Sequence, residues 1–172
     1  MPKLHLVYNY LDDYSDLTIP FIVGLVLALF VFATLSYYFK KENLITHIFE
    51  LLGGDEAWNG ALFGSFFIGG IFFLIGGLII PNFLNLRKVY TNHQLTFITG
   101  KVTDFDPMPY TGHANEFFKV KNVPFQFSDY ETGIGGYHNA ASHGGVFKEG
   151  LYVRIGYYHT SDRNLILTLE TQ

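Results

Sequence analysis

Two uncharged apolar runs, Ile19–Phe39 and Ala61–Ile80, restrict this chain more than any other feature. Each is roughly 20 residues long, the length an α-helix needs to cross a hydrocarbon core of ~30 Å. Lipid offers the backbone no hydrogen-bond partners, so a run of this kind must satisfy its own N–H and C=O groups as a helix. The pair predicts two transmembrane helices, with spans at about 19–39 and 61–80.

The first run reads as a retained anchor rather than a cleaved leader. Acidic residues (Asp12, Asp13, Asp16) precede it where a leader carries basic ones, and it is longer than a leader's apolar region. It closes on Tyr37, Tyr38, Lys40 and Lys41, rings and cations suited to the headgroup layer. The second run is dense in glycine, with small-x-x-x-small spacing at Gly60/Gly64 and Ser65/Gly69. Small residues let two helices approach closely in lipid. Gly24 and Ala28 on the first span, with Gly64, Gly69 and Gly76 on the second, are therefore the expected packing residues. The glycine-rich second span also offers a seam for a homo-oligomer. Between the runs, Leu44, Ile45, Ile48, Phe49 and Leu52 share one helical face, which predicts an interfacial helix over about 42–52. Two spans place both termini on one side. Lys40 and Lys41 nearly balance Lys3, Arg87 and Lys88, so the positive-inside rule leaves the side open.

Charge and cysteine narrow the function classes. The whole net charge of −4 falls in residues 1–80, and 81–172 balance to zero with no basic run. Nucleic acid is excluded as a partner, because phosphate binding needs clustered Lys and Arg. The chain has no cysteine, which excludes disulfides, thiol catalysis and Cys-ligated metals.

After Pro81 the pattern changes from helical to alternating. Leu95–Phe105 reads as a strand interrupted at Gly100. Phe117–Val120 and Val123–Phe127 read as a hairpin turning on Lys121-Asn122, with Phe118, Val120, Val123, Phe125 and Phe127 inward. Pro124 marks the second arm as an edge. Leu151–Tyr158 and Leu165–Glu170 make two more strands. The expected fold is an α+β membrane protein: a membrane domain over 1–93 with a two-helix transmembrane hairpin and its interfacial helix, then a small all-β barrel or sandwich, SH3-like or OB-like, over 94–172.

Three polar stretches carry the residue types from which a site is built: Asp106–Glu116, Ser128–Tyr130 and His138–Gly145. Tyr110, His113, Glu116, Asp129, Tyr130, Ser142 and His143 are the candidate ligand-binding residues. Zinc ligation by His113, Glu116, Asp129, His138 and His143 is chemically conceivable, but the spacing matches no H-E-x-x-H and no metal or cofactor is assigned. Ser142 or Ser128 with a histidine and Asp129 would supply a nucleophile, yet G-x-S-x-G is absent and no catalytic residue is assigned. Gly133–Gly136 and Gly144-Gly145 lack the Lys-Ser/Thr of a phosphate loop and read as turn glycines.

The order Gly100, Asp104–Tyr110, Gly112-His113, Glu116, Val123, Ser128–Tyr130, Ala141–Gly145, Lys148-x-Gly150-Leu151 and Val153–Ile155 resembles a family of uncharacterised bacterial membrane proteins. These pair transmembrane helices with a short C-terminal β domain. The chain is also loosely similar to families in which a membrane hairpin carries a β-barrel ending in G-x-x-V-x-V-x-Y, here Gly150–Tyr157. The resemblance implies architecture and a bacterial inner or plasma membrane, and it brings no activity. The leading expectation is a non-enzymatic protein whose β domain binds a protein or envelope ligand at the bilayer. The competing one is a membrane-anchored hydrolase or metal-dependent enzyme with a site in the 106–145 loops.

Overall fold

The computed structural model of the chain describes residues 3–112, 114–131, 133 and 135–172. They divide into two compact units, Leu17–Pro81 on one hand and Met1–Asp16 with Asn82–Gln172 on the other.

The helical unit holds α1 (Thr18–Tyr38), α2 (Leu44–Gly53) and the first part of α3 (Ala57–Thr91). Among the described residues, α1 and α3 are the two helices long and apolar enough to cross a membrane, by length and composition. Their seam is antiparallel. Gly24 meets Phe72, Leu27 meets Gly69, and Phe30 packs on Gly64 so closely that a Cβ there would overlap the ring. The Thr34 and Ser65 hydroxyls meet at 3.0 Å, and Tyr37 and Trp58 stack edge-on at 6.2 Å. Gly64, and less tightly Gly24, thus lie where their small size is used, while Gly69 has room for a Cβ in ordinary contact with Leu27. Gly76 is buried against Phe72 and Ile80 of its own helix. Ala28 is exposed, because a seam stepping through 24, 27, 30, 34 and 37 passes one residue to its side. Gly60, Gly70 and Gly77 face open space.

The helix predicted at about 42–52 is α2. Asn43 caps it through its side-chain oxygen, which accepts from Ile45 and Thr46 N–H, while the Thr46 hydroxyl accepts from Asn43 N–H. This reciprocal box satisfies two helix-end donors. Asn43 also donates to Ser36 Oγ at 2.9 Å, and Phe49 packs edge-on against Phe30 at 5.2 Å, so α2 is tied to α1. α3 continues through Pro81 to Thr91, and its part from Asn82 belongs to the second unit.

That second unit is built on one antiparallel six-stranded sheet among the described residues, in the order β1-β6-β5-β2-β3-β4. The strands are β1 (His5–Asn9), β2 (Thr96–Asp106), β3 (Glu116–Val120), β4 (Val123–Phe127), β5 (Tyr152–His159) and β6 (Asn164–Thr171). Three expectations need correction. The amino terminus, read with the membrane domain, supplies the edge strand β1 paired with β6. Gly100 does not interrupt β2; it pairs with Val153, and the irregularity sits at Asp104, whose φ is +54°. The sheet is also open: β1 and β4 are separate edges, and no barrel closes.

A loop takes the place of closure. Phe147 lies 4.2 Å from Phe118 and Tyr137 lies 5.5 Å from Phe127, both contributed by the glycine-rich stretch after β4. With Val102, Met108, Phe125, Val153, Ile155, Ile166 and Leu169 they form the apolar core. Burying a Phe or Leu stabilises by roughly 1.5–3 kcal/mol, so the loop's aromatics carry energy a further strand would otherwise supply. The β3–β4 hairpin pairs Phe118 with Phe125 and Val120 with Val123. Its turn residues Lys121 and Asn122 both have positive φ, the twist that matches two antiparallel strands. On α3, Phe83, Leu86 and Val89 form a buried stripe, and Arg87 clasps the amino-terminal segment by donating to Leu11 O at 2.7 Å and lying over the Tyr14 ring.

Candidate functional site

The three polar stretches come from three places in the sheet unit: the segment following β2, the end of the β3–β4 hairpin, and a single 3-10 turn over Ala141–His143. That turn forms because His143 and Gly145 N–H both donate to Ala140 O, at 2.9 and 2.8 Å. Gly145 passes so close to the Asn139 carbonyl that a Cβ would overlap it, which requires glycine.

Two carboxylates pin this turn. Glu116 Oε2 accepts from Ala141 N–H at 2.8 Å, and Asp129 Oδ1 accepts from Ala140 N–H. Glu116 is fully buried, and its Oε1 has no hydrogen-bond partner among the described residues. Burial pushes its carboxyl above the ordinary range, the backbone N–H groups of Ala141 and Met108 pull it back, and the charge of Asp129 adds to the rise. The second oxygen of Asp129 meets His143 Nδ1 at 2.6 Å. Donation from Nδ1 to that carboxylate leaves Nε2 as the free nitrogen of the ring.

Around His143 stand two exposed tyrosines. The Tyr110 ring lies 4.9 Å from the imidazole and the Tyr130 ring 6.2 Å, with exposures of 75% and 63%. Tyr130 is set by Ser128, whose hydroxyl accepts its N–H and touches Met108 Sδ at 3.3 Å. Gly112 packs on the Tyr130 ring, linking the first stretch to the second.

Five of the predicted residues therefore converge: Tyr110, Glu116, Asp129, Tyr130 and His143. Ser142 lies beside them, but its hydroxyl is 3.5 Å from Nδ1, the nitrogen that Asp129 already occupies. A serine nucleophile needs the ring's other nitrogen as its base, so this arrangement is not a Ser-His-Asp relay. His113 lies outside the described residues. Among those described, no group of three or more His, Asp or Glu side chains is placed to hold a metal ion.

Sequence reading passed over a second polar cluster. Tyr8 donates to Asp13 at 2.8 Å, and Tyr10 is buried to 1% exposure. Burial raises the Asp16 carboxyl, and the neighbouring Asp13 charge raises it further. The signal was present as the alternation of His5, Val7 and Asn9 with Leu6, Tyr8 and Tyr10, and it was masked by proximity to the first apolar run.

Comparison of the chain with protein-family models, with curated proteins and with solved structures returned no match.

Proposed function

We propose that this chain is an integral membrane protein in which α1 and α3 cross the bilayer and the sheet unit binds a protein or envelope ligand on the Tyr110–His143–Tyr130 face. The membrane part of the reading rests on exposed apolar surface: Phe66 and Phe73 are 77% and 79% exposed on α3, and Phe21, Leu25, Leu29 and Phe32 are exposed on α1. A helix from a soluble core buries such residues, and contiguous exposed apolar faces of this length belong in lipid. The bacterial setting is carried by the resemblance alone.

The binding part rests on one observation, an imidazole oriented by a carboxylate and flanked by two exposed tyrosine rings. Exposed aromatics with a fixed polar group between them are the composition of a recognition face. The carboxylates favour binding over chemistry. Glu116 is committed to loop backbone and Asp129 to the turn and the ring.

A photo-crosslinking side chain at Tyr110 in native membranes tests the site. The expected result is capture of one species, the same species from Tyr130, and its loss in His143→Ala. No capture, or equal capture from exposed Lys101 on β2, would remove the assignment. Release of the chain from membranes by alkaline carbonate would remove the transmembrane reading.

A further inference from the structure

The sheet treats its two edges differently. At β4 the outer edge is blocked twice: Pro124 has no N–H to offer, and its C=O accepts from Asn164 Nδ2 at 2.8 Å. At β1 nothing comparable covers the edge among the described residues. Leu6 and Val7 are 62% and 42% exposed there. An open groove of about 460 Å³ runs along the strand, lined by Leu6, Val7, Tyr8, Asn9, Asp12 and Asp13. The register shift between Leu6 and Tyr8 makes Val7 the bulged residue, a twist that can blunt an edge but here leaves Leu6 and Val7 open to solvent.

An unpaired edge is a template for another strand. The charges along this one say which strand. Lys3 stands just before its beginning, and Asp12 and Asp13 follow its end. A strand with a cation at one end and anions at the other is complementary to itself when turned antiparallel. A two-fold axis at Val7 sets His5 of one copy opposite Asn9 of the other and Lys3 opposite Leu11, next to the exposed Asp12 carboxylate. Each contact then occurs twice, as an isologous interface requires. We propose that β1 is the self-association edge of this protein, two copies pairing β1 to β1 and joining their sheets into one continuous sheet.

The chain has no cysteine, so a single introduced thiol reports one position cleanly. Full-length Val7→Cys, oxidised mildly in the cells that express it, is expected to yield a disulfide-linked dimer. Gln126→Cys, exposed on the blocked edge, is expected to remain monomeric. Adding Lys3→Glu should lower the Val7→Cys dimer yield about tenfold, since it turns two symmetric surface attractions into repulsions. Combining Lys3→Glu with Asp12→Lys should restore it. A monomer at Val7→Cys, a thiol that links only to other proteins, a yield no higher than that of Gln126→Cys, or a dimer indifferent to the charge exchange would each overturn the proposal.

Discussion

Glu116 sits fully buried with one oxygen bonded to Ala141 N–H and the other unpartnered among the described residues. A buried carboxyl in this state favours its proton, and burial is the first cause of its raised pKa. In the unfolded chain the same group titrates near ~4.3. Between that value and the higher folded one, the folded chain binds more protons than the unfolded chain, so stability falls as pH rises through the interval. Glu116→Gln keeps an oxygen for Ala141 and cannot ionise. The variant is expected to lose this part of the pH dependence and to be the more stable protein at neutral pH. Thermal unfolding from about pH 4 to 8 decides it; a wild-type-minus-variant difference constant with pH would mean that Glu116 is not the titrating group. Glu116→Ala also removes the bond to Ala141, at a cost of about 1–3 kcal/mol for the group left unpaired, and frees the turn that carries His143.

Elements were legible in proportion to how local their cause is. The β3–β4 hairpin was readable because Phe118, Val120, Val123, Phe125 and Phe127 alternate around two turn residues, and the α2 helix because its apolar residues keep a 3.6-residue period. The site was legible as residue types but not as an arrangement. Nothing local shows that Ala140 and Ala141 bring their N–H groups to Asp129 and Glu116, or that Ser142 approaches the wrong nitrogen of His143. Glycine is the instructive case within the helices, since small-x-x-x-small spacing alone does not distinguish the seam from the outer face. Gly64 lies under Phe30, whereas Gly70 has nothing within 4 Å of its would-be Cβ. Gly64→Ala is expected to destabilise the helical hairpin by roughly 1–3 kcal/mol, the usual cost of overpacking. Gly70→Ala should be neutral or slightly stabilising, because alanine is the better helix former. Unfolding of the full-length chain in detergent micelles measures both. Equal effects would show that Phe30 can move aside and that the seam is loosely packed.

At the scale of the whole molecule, the least legible fact is that the sheet is not contiguous in the sequence. Residues before the first apolar helix complete a sheet whose other five strands follow the second, and no periodicity within 82–172 reports a missing partner. The contacts across this gap are substantial. β1 pairs with β6, the buried Tyr10 ring lies 5.9 Å from Phe83, and Arg87 donates to Leu11 O. A fragment of 82–172 alone would therefore expose the β6 edge and the Phe83–Leu86 stripe. Losing one fully buried large aromatic costs about 3–5 kcal/mol, a large share of the stability of a domain this size. That fragment is expected to aggregate, or to melt well below a version in which residues 3–16 are joined to 82–172 by a flexible linker in place of 17–81. The joined version should be soluble and unfold in one cooperative transition, because all six strands and both carboxylate pins are present. Tyr10→Ala in the joined version should return it most of the way to the lone fragment. If the lone fragment melts at the same temperature as the joined one, then β1 is an ornament on a five-stranded sheet. If it melts lower and Tyr10→Ala reproduces the loss, the sheet forms only once sequence from both sides of the helical unit has met.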